Sequence, residues 1–163
     1  MRRLWRGLEI FAVFAVLFCF LSPGARANEA ASALAGFNKF INLSKANSPQ
    51  ICNRFSEYTK DSLSRFIANM ASKEGTKVSA SEVRKFLEDT SNPEALDMWR
   101  SATSSFAEID LGTPKVSVKG GRAYIMGSSA AHPIVMVKEK GQWNLGLVET
   151  LEEGGMSLDM LVK

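Results

Sequence analysis

The fold is decided by residues 115–126, which read KVSVKGGRAYIM. Apolar and polar side chains alternate on both sides of Gly120-Gly121, and two adjacent glycines are typical of a two-residue hairpin turn. The pattern therefore predicts an antiparallel pair of strands, the first over residues 115–119 and the second from Arg122 to about Ser128.

Two further strands are predicted downstream. Residues 134–138 include an apolar run on both faces, which is typical of a central strand covered on two sides. Lys140-Gly141 predicts a second turn, and the last strand is expected over residues 142–150. These strands complete a four-stranded antiparallel meander. The residues expected on the inward face of the last strand are Trp143, Leu145 and Leu147.

The chain before this sheet has the period of helices. Amphipathic stripes predict one helix over residues 29–45 and another from Pro49 to about Ser72. Ser79 and Glu82 have the spacing of a capping box, which starts a short third helix, and Asn92-Pro93 starts a fourth. The positions of the second helix expected to point inward are Ile51, Phe55, Tyr58, Leu63, Phe66, Ile67 and Met70.

Together these elements predict a single α+β domain over residues 28–163, in which about four N-terminal helices pack on a C-terminal four-stranded antiparallel meander. A chain of this length buries roughly two-thirds of its unfolded surface. Residues 153–163 are predicted to be a flexible tail or an edge strand. Their apolar residues alternate after two glycines, and these residues are Met156, Leu158, Met160 and Val162.

The first 27 residues are predicted to be a secretory signal peptide. Three arginines precede an unbroken apolar run of twelve residues, Ile10 to Leu21, and Ala25-Arg26-Ala27 places small residues at a cleavage site. The run is short for a transmembrane helix, although an uncleaved anchor is the alternative. The protein is therefore expected to be exported to a periplasmic or extracellular location and to meet the membrane only transiently.

The charge balance excludes a nucleic-acid partner. The whole chain has a net charge of +3, but residues 1–27 contain four arginines and one glutamate. The remaining residues contain 16 basic and 16 acidic side chains and are neutral. Nucleic-acid binding requires a basic footprint that neutralises phosphates, and the charge of this predicted domain does not provide one.

The sheet resembles that of a known superfamily. Over about residues 110–150, Gly120 and Gly141 mark the two hairpin turns and Trp143 follows the second, between alternating apolar residues such as Val116, Val118, Val135 and Val137. This pattern resembles the closing sheet of small exported domains of the NTF2-like (cystatin-like) superfamily, which includes bacterial envelope domains of unknown function. The resemblance implies a curved sheet wrapped on helices, with an apolar pocket that binds a small molecule or is filled by side chains. It brings no catalytic residues, because the catalytic sets of the superfamily have no matching motif in this chain.

Side chains suited to catalysis or metal binding are few. His132 is the only histidine, which excludes multi-histidine metal sites, and neither Ser128 nor Ser129 lies in a nucleophile-elbow motif. Glu108 and Asp110 would share one face of an extended segment, but solvated carboxylates are the commoner arrangement. No catalytic residue, no metal and no cofactor is predicted.

Cys52 is the only cysteine after residue 27, so no disulfide can form within the predicted domain. An unpaired thiol in an oxidising compartment leaves open a bridge to another chain. Its apolar neighbours favour instead a small buried side chain.

The leading functional hypothesis is a non-enzymatic binding module that holds a small apolar ligand, or a protein partner, in a cleft between helices and sheet. An interaction protein that acts through its C-terminal tail is the alternative, and a small isomerase- or hydrolase-like enzyme comes third. A filled core would use the same aromatic residues as a cleft. The residues predicted to line the cleft are Phe55, Tyr58, Trp99, Tyr124 and Trp143.

Overall fold

The computed structural model describes residues 23–128 and 130–162, and it confirms the α+β class, with helices in the N-terminal part and an antiparallel sheet in the C-terminal part. A 3-10 helix, Pro49–Arg54, separates the first two α-helices. The helices before the sheet are α1 (Pro23–Lys45), α2 (Glu57–Lys73), α3 (Ala80–Glu88) and α4 (Pro93–Ala107). The strands are β1 (Lys115–Lys119), β2 (Arg122–Met126), β3 (Ile134–Glu139) and β4 (Gln142–Gly146).

The sheet is a meander in the order β1-β2-β3-β4, with every neighbouring pair antiparallel. The predicted hairpin is confirmed, since Gly120 and Gly121 both have the positive φ that their turn requires. β3 lies between two strands, and its first three residues, 134–136, are buried, as the apolar run predicted. One row of cross-strand neighbours, Val118, Ala123, Met136 and Leu145, belongs to the inner face.

Helix α1 packs along this inner face, against β4 and β1, and it also contacts α4. The approach is close at Gly36, where an added Cβ would lie 2.6 Å from the Cβ of Trp143. Trp143 is only 5% exposed, and its indole Nε1 has no hydrogen-bond partner among the described residues. Glycine at position 36 therefore lets α1 lie directly on the tryptophan of β4.

Helix starts follow the capping residues that the sequence contains. Ser79 accepts a hydrogen bond from the amide of Glu82, and the Glu82 side chain accepts one from the Ser79 amide, which confirms the predicted capping box of α3. The Asn92 side chain caps α4 ahead of Pro93 by accepting from the amides of Glu94 and Ala95. These contacts satisfy amides that have no partner within the helix.

The second predicted helix is divided in the structure. Phe55 is extended and forms an isolated parallel bridge with Leu145, and the amide of Ser56 donates to the carbonyl of Leu145 at 2.9 Å. Ser56 then caps α2. The prediction of one continuous helix was wrong because pairing with β4 replaces helical hydrogen bonds at this point.

The last predicted strand is also shorter than expected. β4 ends at Gly146, and residues 147–153 form a further helix, α5, so Leu147 does not share a strand face with Trp143. Gly146 is required because an added Cβ would lie 2.9 Å from the carboxyl carbon of Glu149. The tail forms a 3-10 helix, Leu158–Val162, in contact with α2, instead of a strand.

The predicted signal peptide falls mostly outside the described residues. Residues 1–22 are not among them, and residues 23–27 form the first turns of α1, so cleavage after Ala27 stays a prediction. None of the helices in the described ranges is long and apolar enough to cross a membrane.

Candidate functional site

Two of the five residues predicted to line a cleft lie instead in the closed core. Phe55 is fully buried and Trp99 is 1% exposed, and their rings stack with centroids 3.9 Å apart. The indole Nε1 of Trp99 donates to the carbonyl of Leu87 at 2.8 Å, and Phe40 packs edge-on against Phe55. The aromatic side chains are in contact with one another, so they fill this space instead of lining a cavity.

The other three predicted residues lie in different places. Trp143 is buried under α1, and Tyr58 is 43% exposed, with its hydroxyl donating to Glu152 at 2.7 Å. Tyr124 pairs with Ser117 and Val135, which places it on the outer face of the sheet, away from α1. The structure therefore brings Phe55 and Trp99 together but does not gather all five residues in one cleft.

An open groove occurs at a different part of the helix–sheet boundary. This feature, the His132 groove, lies between the end of α4, the segment that follows it, the β2–β3 connection and α5, and its volume is about 410 Å³. Most of its wall is apolar. The apolar residues that line it are Phe106, Ile109, Leu111, Gly127, Ala130, Ala131 and Ile134, and the polar ones are Asp110, His132 and Thr150.

A second groove, of about 600 Å³, lies on the other side of residues 109–111, between this segment and α1. The segment is held in place by two contacts. The carboxylate of Asp110 accepts a hydrogen bond from the amide of Gly112 at 2.9 Å, and the amide of Ser128 donates to the carbonyl of Leu111 at 3.2 Å. Residues 109–111 therefore form a wall shared by both grooves.

The polar residues of the His132 groove differ in the bonds they already make. The Thr150 hydroxyl donates to the carbonyl of Gly146 and accepts from the amide of Val135, so it is occupied within the fold. The His132 side chain is exposed and lies close to Gly154. His132 and Asp110 are thus the side chains placed to meet a polar group inside the groove.

These side chains do not form a recognisable catalytic or metal centre. Among the residues that the structure describes, no cluster of three histidine, cysteine or carboxylate side chains could hold a metal ion. Glu108 and Asp110 are both exposed, and the segment that carries them is not a strand. Ser129 lies outside the described residues.

A buried carboxylate links α5 to the start of α2. Glu149 is 2% exposed, and its two oxygens accept hydrogen bonds from the hydroxyls of Ser56 at 2.7 Å and Thr59 at 2.8 Å. The Thr59 hydroxyl also accepts a bond from the amide of Val148 at 3.2 Å. This cluster is closed by its own hydrogen bonds, and we assign it a structural role.

A charged cluster joins α2 to α3 at the surface. Arg84 donates to Glu57, Asp61 and Glu88, while the largely buried Lys60 amine lies 3.2 Å from Glu57. The hydrogen bond from Arg84 lowers the pKa of Glu57. The two basic side chains are paired with the three acidic ones across the two helices, so this cluster also serves the packing of α2 and α3.

Cys52 is fully buried, and this burial raises the pKa of its thiol above the usual value. A thiol that is buried and protonated reacts slowly, since the thiolate is the nucleophile. We expect iodoacetamide to alkylate the native protein roughly a hundredfold more slowly than the urea-unfolded protein, because reaction requires local opening. Rapid alkylation of the native protein, or a covalent dimer on a non-reducing gel, would show that the thiol is accessible.

The sequence pattern does not predict most of the lining of the His132 groove. On sequence grounds His132 pairs with Ser128 or Ser129, and Asp110 with Glu108, but nothing in the spacing shows that His132 and Asp110 face a common space. Apolar and acidic residues alternate along Glu108-Ile109-Asp110-Leu111, but this gave no signal of the groove, because the segment is not a strand and Ile109, Asp110 and Leu111 all line the groove. The small residues Ala130 and Ala131 gave no signal of the groove either.

Comparison of the chain with family models, with curated proteins and with solved structures gave no match. The NTF2-like resemblance of residues 110–150 therefore stays a prediction.

Proposed function

We propose that this protein binds a small, largely apolar ligand in the His132 groove. The supporting observation is the composition of the groove, which joins an apolar wall to two polar side chains, His132 and Asp110. Ligand sites in proteins are commonly built in this way, because apolar area provides affinity and a few polar groups fix the orientation.

The size and chemistry of the groove indicate the class of ligand. Its volume of about 410 Å³ lies within the usual range of roughly 300–1,000 Å³ for small-molecule sites. A hydrocarbon portion would contact Phe106, Ile109 and Ile134. A hydroxyl or amine on the ligand would meet His132 and the second carboxylate oxygen of Asp110, since the first oxygen accepts from the amide of Gly112 and the Thr150 hydroxyl is occupied within the fold.

The proposal is tested by filling the groove. Ala131→Trp places a large side chain in the space that the ligand would occupy, so the ligand would lose apolar contact area at about 25 cal/mol per Å². We therefore expect the affinity for the fluorescent apolar probe Nile red to fall about tenfold or more. Ala102→Trp, a substitution of the same size at an exposed position of α4 outside the groove, is the matched control.

The outcomes are distinct. Loss of Nile red binding in Ala131→Trp alone supports the proposal. Absence of binding by the unmodified protein, or equal losses in both variants, contradicts it.

A second candidate function is an interaction surface at the tail. Met156 is 42% exposed and Met160 58% exposed, and a partner that covered both side chains would remove this apolar area from water. The same assay separates the two candidates, because Met160→Ser would reduce probe binding if Nile red bound at the tail and not in the His132 groove.

A further inference from the structure

The outer face of β1 and β2 carries a different kind of surface. Alternation along the strands places Lys115, Ser117 and Lys119 on the same side of β1. Their cross-strand neighbours are Met126, Tyr124 and Arg122, respectively. The lysines and the arginine are exposed, while Tyr124 and Met126 are half-buried. We call these six residues the cationic face.

The charge of the cationic face is not compensated locally. Residues 112–128 include three basic side chains and no acidic one. Within the described part of the chain, none of the three takes part in a salt bridge, although Lys60, Arg84, Arg100 and Lys138 do. Glu139, on the outer face of β3, is engaged elsewhere, because both of its carboxylate oxygens share the amide N–H of Glu57 at 3.1 Å.

The cationic face adjoins an open strand edge. β1 is the first strand of the sheet, and among the described residues it pairs only with β2. The opposite edge is different, because Phe55 bridges to Leu145 on β4. Val116 and Val118 lie on the inner face of β1 and are half-buried. An unpaired strand edge offers backbone donors and acceptors to another extended chain.

We propose that an acidic, extended segment of a partner protein adds to β1 as a fifth strand. Its acidic side chains would lie beside Lys115 and Lys119, within reach of Arg122, and its alternate apolar side chains would continue the row of Val116 and Val118. Strand addition gives affinity through main-chain hydrogen bonds and specificity through alternate side chains. The charges make the edge selective for an acidic sequence.

A second copy of this chain is a poorer occupant. Antiparallel pairing of β1 with itself, centred on Ser117, would place lysine opposite lysine at both ends. Like charges directly opposite each other destabilise a strand pair, and lysine on an edge strand is a common protection against self-association. The surface therefore favours a partner with negative charge.

The probe is a labelled heptapeptide of alternating glutamate and valine, with fluorescence anisotropy as the readout. Two further peptides separate charge from strand pairing. One replaces every glutamate by lysine, and the other retains the glutamates but carries N-methyl groups on alternate amides, which removes the donors of one edge. We expect only the unmodified glutamate peptide to bind, with affinity that falls as salt is added.

Protein variants locate the binding. Lys119→Glu combined with Arg122→Glu reverses two charges of the cationic face, and we expect it to weaken peptide binding about tenfold. Lys39→Glu combined with Lys77→Glu changes the net charge equally at exposed positions elsewhere and is expected to leave binding unchanged. Protection of the β1 amides from hydrogen exchange in the complex would place the peptide on the edge.

Three results would overturn the proposal. The first is equal affinity for the N-methylated peptide, which would mean that charge alone attracts the ligand. The second is equal loss in both pairs of charge reversals. The third is absence of peptide binding together with binding to anionic phosphatidylglycerol vesicles, which would identify a lipid surface as the occupant.

Discussion

Trp99→Ala is expected to lower the free energy of unfolding by about 3–5 kcal/mol, as is typical of a buried tryptophan or phenylalanine replaced by alanine. The indole is 1% exposed and stacks on Phe55 at a centroid distance of 3.9 Å. Its Nε1 also donates to the carbonyl of Leu87, so truncation leaves both a cavity and an unpaired buried carbonyl. The loss would be a large part of the roughly 5–15 kcal/mol that stabilises a domain.

Urea unfolding followed by circular dichroism measures this effect. Met98→Ala is the matched control, because Met98 precedes Trp99 on α4 but is 40% exposed. We expect the control to change stability by less than about 1 kcal/mol. Equal losses in the two variants would contradict the position of Trp99 at the centre of the core.

Glu149→Ala is expected to destabilise the domain by about 2–4 kcal/mol, since it leaves two buried hydroxyls without their acceptor. Ser56 caps α2 and donates to one carboxylate oxygen of Glu149, while Thr59 donates to the other. The carboxylate thus joins α5 to the first turn of α2. Gly146 permits this arrangement, because a side chain there would collide with Glu149.

Thermal unfolding of Glu149→Ala is compared with that of Glu153→Ala. Glu153 is exposed at the end of the same helix, so its removal is expected to have little effect on stability. Glu149→Gln retains one acceptor oxygen, so its melting temperature is expected to lie between those of Glu149→Ala and Glu153→Ala. A melting temperature for Glu149→Ala equal to that of the control would show that the carboxylate cluster does not hold α5.

The sheet and the starts of α3 and α4 could be predicted because their signals are local. Gly120-Gly121 sets one hairpin, and Ser79 with Glu82 sets the start of α3, each within a few residues. The division of the second helix had no such signal. It depends on the pairing of Phe55 with Leu145, which lies far away in the sequence.

The candidate site was harder to predict for a related reason. Aromatic side chains are equally suited to a closed core and to a cavity wall, and only their packing distances separate the two. Phe55 and Trp99 proved to fill the core. The His132 groove depends instead on small residues, Ala130 and Ala131, and on the path of the segment before β1, which composition does not specify.

The position at which an apolar ligand binds decides whether the His132 groove is the ligand site. Octanol, which has a hydrocarbon chain and a hydroxyl, is added to methyl-labelled protein, and intermolecular nuclear Overhauser effects are recorded. We expect contacts from the octanol chain to the methyl groups of Ile109, Leu111 and Ile134. Contacts confined to Met156 and Met160, or no contacts at all at millimolar octanol, would contradict the assignment of the His132 groove as the binding site.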